Sequence, residues 1–274
     1  MKKILIPTDF SESAENALKI AAQIARSRNS ELILLHMLEL PSQGGDAVIA
    51  GHNIPELMLF KNAAIEKLED LMDADYLDDL EVSHIVQFDM AFDGIMNISN
   101  KNEVDLIVMG SHGASGFKEM FIGSNAEKVV RTSEIPVLII KKEIDKFEVK
   151  NFVFASDFSD EIKKPFQNAL EVAEMFGAHL HLVMVNTLNN FKTTAAAHQV
   201  FDEFLASSNA KNYTTHIYND ATVEKGVLNF AKSINADLIG ICTHGRNGLS
   251  HFFNGSVSED LVNHAMRPMI TFKI

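Results

Sequence analysis

Two kinds of hydrophobic pattern alternate along this chain. Residues 3–7, 31–37, 82–88, 105–109 and 136–140 are short, nearly unbroken apolar runs. Between them, residues 15–26, 55–74, 92–100 and 125–132 space apolar side chains three and four positions apart. The short runs predict strands covered on both faces, and the wider spacing predicts amphipathic helices. Their regular alternation predicts a parallel sheet with helices on both sides.

The same order runs a second time from Asn151 to Ile274. Shifted by 148, Thr8-Asp9-Phe10-Ser11-Glu12 falls on Ser156-Asp157-Phe158-Ser159-Asp160. Further on the shift is 132: Gly94 falls on Gly226, Asp105-Leu-Ile on Asp237-Leu-Ile, Gly113 on Gly245 and Pro136 on Pro268. The second copy therefore lacks sixteen residues between its second and third strands. A duplicated unit predicts two domains, 1–145 and 146–274, joined through the charged stretch 141–150. Pro165 stands near the start of the second copy's first helix, where proline is tolerated, so that helix should begin later than its partner.

With 274 residues and 46% apolar side chains, each half can bury a core. A net charge of −13 argues against nucleic acid and anionic membranes as partners, because phosphate binding over a surface needs clustered Lys and Arg. One small anionic ligand can still be held by backbone N–H groups. The single cysteine, Cys242, precludes an intrachain disulfide and a cysteine-based zinc site. The apolar start at residues 3–7 is too short for a signal peptide and meets Thr8-Asp9 at once, and no apolar stretch reaches membrane-spanning length. The expectation is a soluble, cytoplasmic protein.

The candidate chemistry sits at the ends of the predicted strands. Gly110-Ser-His-Gly113 is followed after nine residues by Gly123-Ser124, and Cys242-Thr-His-Gly245 after nine by Gly255-Ser256. Ligands of such sheets bind beyond the carboxyl ends of the strands, where strand order reverses. Glycine lets a ligand approach the backbone, and the unpaired N–H groups of a helix start favour anions. Asp9 after strand one can accept from ribose hydroxyls or help hold a cation, and Met37 at the end of strand two offers an apolar wall to a purine. Asp9-Phe-Ser11-Glu12 reads equally as a helix cap, with Ser11 as N-cap. His112 and His244 read as loop residues near that site. His179 and His181 share one face of a strand, a spacing that suits a metal or simply a half-covered strand.

These motifs resemble the universal stress protein family in its tandem form. The resemblance rests on Ile4-Leu-Ile-Pro-Thr-Asp9-Phe-Ser, Asp105-Leu-Ile-Val-Met-Gly110-Ser-His-Gly113 and Gly123-Ser124, with counterparts at 152–159, 237–245 and 255–256. It implies two Rossmann-like domains of the adenine nucleotide α-hydrolase type, each a five-stranded parallel sheet, paired through their last strands as a pseudo-twofold unit that can dimerise again. It implies ATP, with Mg²⁺ or Mn²⁺, the phosphates lying among Gly110, Gly113, Gly123 and Ser124 and the ribose near Asp9. Pro7, Thr8, Met37, His112 and Asn125 complete the candidate set.

In the second copy the corresponding set is Ser156, Asp157, Val185, Gly245, Gly255, Ser256 and Val257, and Cys242 stands where the first copy has Gly110. Cysteine there costs about 1 kcal/mol or more if φ is positive, and mainly steric room if φ is negative. Three functions stay open: a nucleotide-dependent stress-response or signalling module, a slow ATPase or nucleotidyl-transfer enzyme, and a nucleotide-free dimer-like scaffold. No carboxylate pair or basic cluster stands beside the phosphate positions, which favours the binding module.

Overall fold

A computed structural model of the chain describes residues 1–39, 54–112, 122–243 and 261–274. Ten strands form one sheet in the order β3-β2-β1-β4-β5-β10-β9-β6-β7-β8. The first half supplies β1 (Lys3–Pro7), β2 (Glu31–Leu38), β3 (Val82–Phe88), β4 (Leu106–Gly110) and β5 (Val137–Ile140). The second supplies β6 (Asn151–Ala155), β7 (His179–Asn186), β8 (Tyr213–Asn219), β9 (Leu238–Thr243) and β10 (Met269–Lys273). Within each half every pairing is parallel. The halves meet where β5 and β10 run antiparallel, with Leu138 opposite Ile270. The strand order is a palindrome about that pair, as the repeat requires.

Among the described residues seven helices and a helical stretch at 261–264 cover the two faces: α1 (Glu12–Arg28), α2 (Ile54–Met72), α3 (Ala91–Lys101), α4 (Ser124–Thr132), α5 (Lys163–Phe176), α6 (Thr194–Leu205) and α7 (Val223–Ser233). One core cluster lies under α1, α2, α5 and α6, and the other under α3, α4 and α7, each drawing on both halves. The fold is therefore a three-layer α/β sandwich, with β1, β4, β6 and β9 in its interior.

Local chemistry explains the boundaries. Ser11 caps α1, its Oγ accepting from the Ala14 amide at 3.2 Å, and Asn29 closes the helix with φ 53°. In the second half α5 starts only at Lys163, behind a 3₁₀ turn at Asp160–Ile162. That is three residues later than the repeat register would place it, in the direction Pro165 predicts. The shared Asp-Leu-Ile is architectural. Asp105 accepts from the Lys2 and Lys3 amides and Asp237 from those of Lys150 and Asn151, fixing the start of the central strand in each half. The cores differ by compensation: Ile4, Val108 and Ile140 of the first half become Phe152, Gly240 and Phe272. A Cβ on Gly240 would stand 2.8 Å from the Phe152 ring and 3.3 Å from that of Phe272.

Candidate functional site

In the first half the strand order reverses between β1 and β4, and the carboxyl ends of those strands open there onto a cavity of about 320 Å³. Pro7, Thr8 and Asp9 enter from β1, Met37 from β2, Gly110 and His112 from the end of β4, and Gly123, Ser124 and Asn125 from the start of α4. Nine of the ten candidate positions thus line one cavity, and the tenth, Gly113, lies outside the described residues. Ala14, Leu35, His36, Ala91, Ile95, Met109, Ser111 and Ala126 complete its wall. Ser111 and Met109 stand inside the glycine motif and His36 beside Met37, so the sequence pointed near them. Ala91 and Ile95 come from α3, which carries no motif.

The turn after β1 is built by its own side chains. Thr8 Oγ1 accepts from the Phe10 amide and Asp9 Oδ1 from the Ser11 amide, each at 3.1 Å. These bonds hold Phe10 at φ 63°, a left-handed conformation that costs a bulky residue about 1–2 kcal/mol. Ser156, Asp157 and Phe158 repeat the turn, with Phe158 at φ 57°. His36 donates from Nδ1 to the Thr8 carbonyl at 2.8 Å, and its ring lies 4.5 Å from that of Phe10. The capping role read for Ser11 and the cavity-lining role of Asp9 therefore coexist: one carboxylate oxygen shapes the turn that presents the group to the cavity.

Gly123 is the N-cap of α4, at φ −64° and ψ 148°, and brings no side chain to the helix start. Its amide donates to Ser111 O at 2.7 Å, joining the helix start to the end of β4. Ser124, Asn125 and Ala126 follow in the first turn and line the cavity. First-turn amides have no intrahelical acceptor, and the positive end of the helix dipole lies with them. An anion of phosphate size is the ligand such a helix start favours.

The glycine motif is in part structural. Gly110 ends β4 without a positive φ. A Cβ there would come within 2.5 Å of Ser13 Oγ and 2.6 Å of the Ser13 backbone C and O. Its bareness is needed by the first turn of α1, and no positive φ requires it, while Gly110 also lines the cavity. The steric alternative for Cys242 thus applies. Ser13 corresponds to Glu161, which sits in the 3₁₀ turn ahead of the late-starting α5, and the Cys242 side chain is fully buried. Burial, and then the nearby Asp157, push its thiol far up, so it is no nucleophile. Gly226 is structural too: a Cβ would meet the branched Val185 side chain at 2.4 and 3.0 Å and Asp220 Cβ at 3.2 Å, whereas at Gly94 the closest atoms are the flexible end of Met37.

Of the second candidate set, Ser156, Asp157 and Val185 stand at the ends of β6 and β7, as their counterparts do on β1 and β2. Gly245, Gly255, Ser256 and Val257 lie outside the described residues. Ser156 and Val185 are each 1% exposed.

A model of the universal stress protein family matches residues 1–141 and again residues 148–273. The chain belongs to the universal stress protein family. It is 33% identical over 161 residues to universal stress protein MJ0577 of Methanocaldococcus jannaschii, covering 52% of this chain and 96% of that one. Universal stress protein Slr1230 of Synechocystis is 21% identical over the whole length of both chains. The crystal structure of a universal stress protein from Archaeoglobus fulgidus superimposes with a TM-score of 0.75, at 23% identity, over 99% of this chain and 98% of that one. Single-unit relatives therefore match half of this universal stress protein, and double-length ones match all of it. No described helix is long and apolar enough to cross a membrane.

Proposed function

We propose that this universal stress protein is a cytoplasmic, ATP-binding stress-response and signalling module with its nucleotide in the first half. The observation that carries the reading is the single cavity uniting the Asp9 turn, Met37 and the bare start of α4. Its volume of about 320 Å³ is at the small end of the range for ligand pockets. The phosphates lie at the amides of Ser124 to Ala126, the ribose near Asp9, and the adenine against Pro7, Leu35, Met37 and Met109. Nucleotide occupancy then shifts the chain between states that partners distinguish. Residues 1–145 and 146–274 act as paired domains through β5 and β10, and the outward faces leave room for a further homodimer.

Among the described residues no three His, Cys, Asp or Glu side chains stand together to hold a metal ion. A Mg²⁺ or Mn²⁺ ion would arrive on the phosphates, retain water, and take its few protein oxygens from side chains such as Asp9 and Ser124.

The test is the nucleotide content of the purified chain, followed by ATP titration of parent and Gly123→Ala. Gly123 has φ −64°, which alanine adopts freely, so a loss of affinity reports on ligand approach rather than on backbone strain. A parent that neither carries nor binds an adenine nucleotide refutes the proposal. Hydrolysis at about 1 per second or faster replaces it with an enzyme.

A further inference from the structure

The start of α4 is tied to both halves of the molecule. The Gly123 amide donates within the first half, to Ser111 O. The amide one residue earlier, Ile122, donates instead to Asn263 Oδ1 of the second half, at 2.7 Å. Ile122 and Asn263 are each only 8% exposed, so the bond is shielded from water. Asn263 lies in the helical stretch 261–264, and is itself held from the first half: Lys141, next after β5, donates from Nζ to the Asn263 carbonyl. One residue of the second half therefore bridges the two segments that flank the cavity's helix.

The repeat reproduces only half of this arrangement. In the 132-residue register Asn263 corresponds to Arg131 and Lys141 to Lys273. Lys273 Nζ does donate to Arg131 O, at 3.2 Å, so the lysine-to-carbonyl contact exists in both directions. The side-chain contact cannot. A guanidinium has donors and no acceptor, so Arg131 cannot take an amide N–H from the second half. It pairs instead with Glu127 on its own helix, at 3.8 Å.

We propose that Asn263 is a positioning residue for nucleotide binding in the first half, and that this support runs one way, from the second half to the first. The inference rests on the reading that the cavity beside α4 takes a nucleotide. Holding the Ile122 amide fixes where Gly123 and the first-turn amides of α4 point, so the anion site is set before the ligand arrives. In this chain the second half is then a support for the first.

The experiment is ATP titration of the full chain carrying Asn263→Ala, Asn263→Asp or Arg131→Ala, with hydrogen exchange followed at residues 122–126. Asn263→Ala should bind about tenfold more weakly, the scale of one lost hydrogen bond to a buried amide, and Ile122 should exchange faster. Asn263→Asp keeps an acceptor beside Lys141 and should stay within about threefold of the parent. Arg131→Ala, which removes the Glu127 pair on the same helix and leaves the Ile122 amide and the Lys273 contact to the Arg131 carbonyl in place, should bind as the parent does. Parent affinity in Asn263→Ala overturns this proposal alone, as does an equal loss in Arg131→Ala, which would mean that any loosening of α4 weakens the site. A parent that binds no nucleotide overturns the functional reading as well.

Discussion

Gly110→Ala separates the architectural from the ligand-binding role of the glycine motif. The new methyl carbon would lie 2.5 Å from Ser13 Oγ and 2.6 Å from the Ser13 backbone C and O. Carbon contacts settle at about 3.5 Å or beyond, so the first turn of α1 has to retreat by roughly 0.9 Å. A turn anchored by the Ser11 cap and by Asp9 cannot follow freely, and the 3.4 Å bond from the His112 amide to Ser13 Oγ would be lost as well. Overpacking of this kind costs about 1–3 kcal/mol. Denaturant unfolding followed by far-ultraviolet circular dichroism should give that loss in nucleotide-free protein, with the midpoint lowered and the slope unchanged.

Two companions sharpen the test. Ser13→Ala added to Gly110→Ala removes only one of the three close atoms, so the double variant should stay destabilised. Cys242→Gly in the second half should also destabilise, by about 1–2 kcal/mol, because there the side chain is buried and glycine leaves a void. A Gly110→Ala chain within about 0.5 kcal/mol of the parent would refute the steric account.

Two further predictions concern the turn and the outer sheet. Asp9→Asn keeps an oxygen for the Ser11 amide, so stability should hold while nucleotide affinity falls; equal affinity would reduce Asp9 to a turn former. Burial, with His179 and His216 beside it, lowers the His181 pKa from 6.5 to about 4. Between those values the unfolded chain takes up a proton that the native chain refuses, so this contribution is complete above about pH 6.5 and lost on acidification toward 4. His181→Gln should flatten the decline of the denaturation midpoint across that window, and parallel profiles for parent and variant would refute it.

The periodicity of the chain was enough for the strands, the layers and the duplication, because each strand is buried on both faces and each helix on one. The cavity was legible wherever its residues fall inside a motif, as Asp9, Gly110 and Gly123-Ser124 do. What could not be read was why each glycine is there. Gly110 answers to Ser13, 97 positions earlier, and Gly226 to Val185, 41 positions earlier, separations that no local pattern spans. The alternation of His179 and His181 suits a metal or a half-covered strand. They pack 4.7 Å apart beside His216 and Thr214, in a hydrogen-bonded patch that also draws on Asn151 and Asn212. Asn263 was beyond reach because its contact crosses the antiparallel junction, whose register no periodicity encodes.

Duplication gives both halves the same backbone plan, and two of the differences between them bear on the site and on the junction. Cys242 for Gly110 goes with the late start of α5, so the second half trades the close approach of its first helix for a buried side chain. Arg131 for Asn263 removes the acceptor that would let the first half support the second. The first change lies within the second half and the second lies across the junction from it. Support across the junction therefore runs from the second half to the first, through the bond of the Ile122 amide to Asn263.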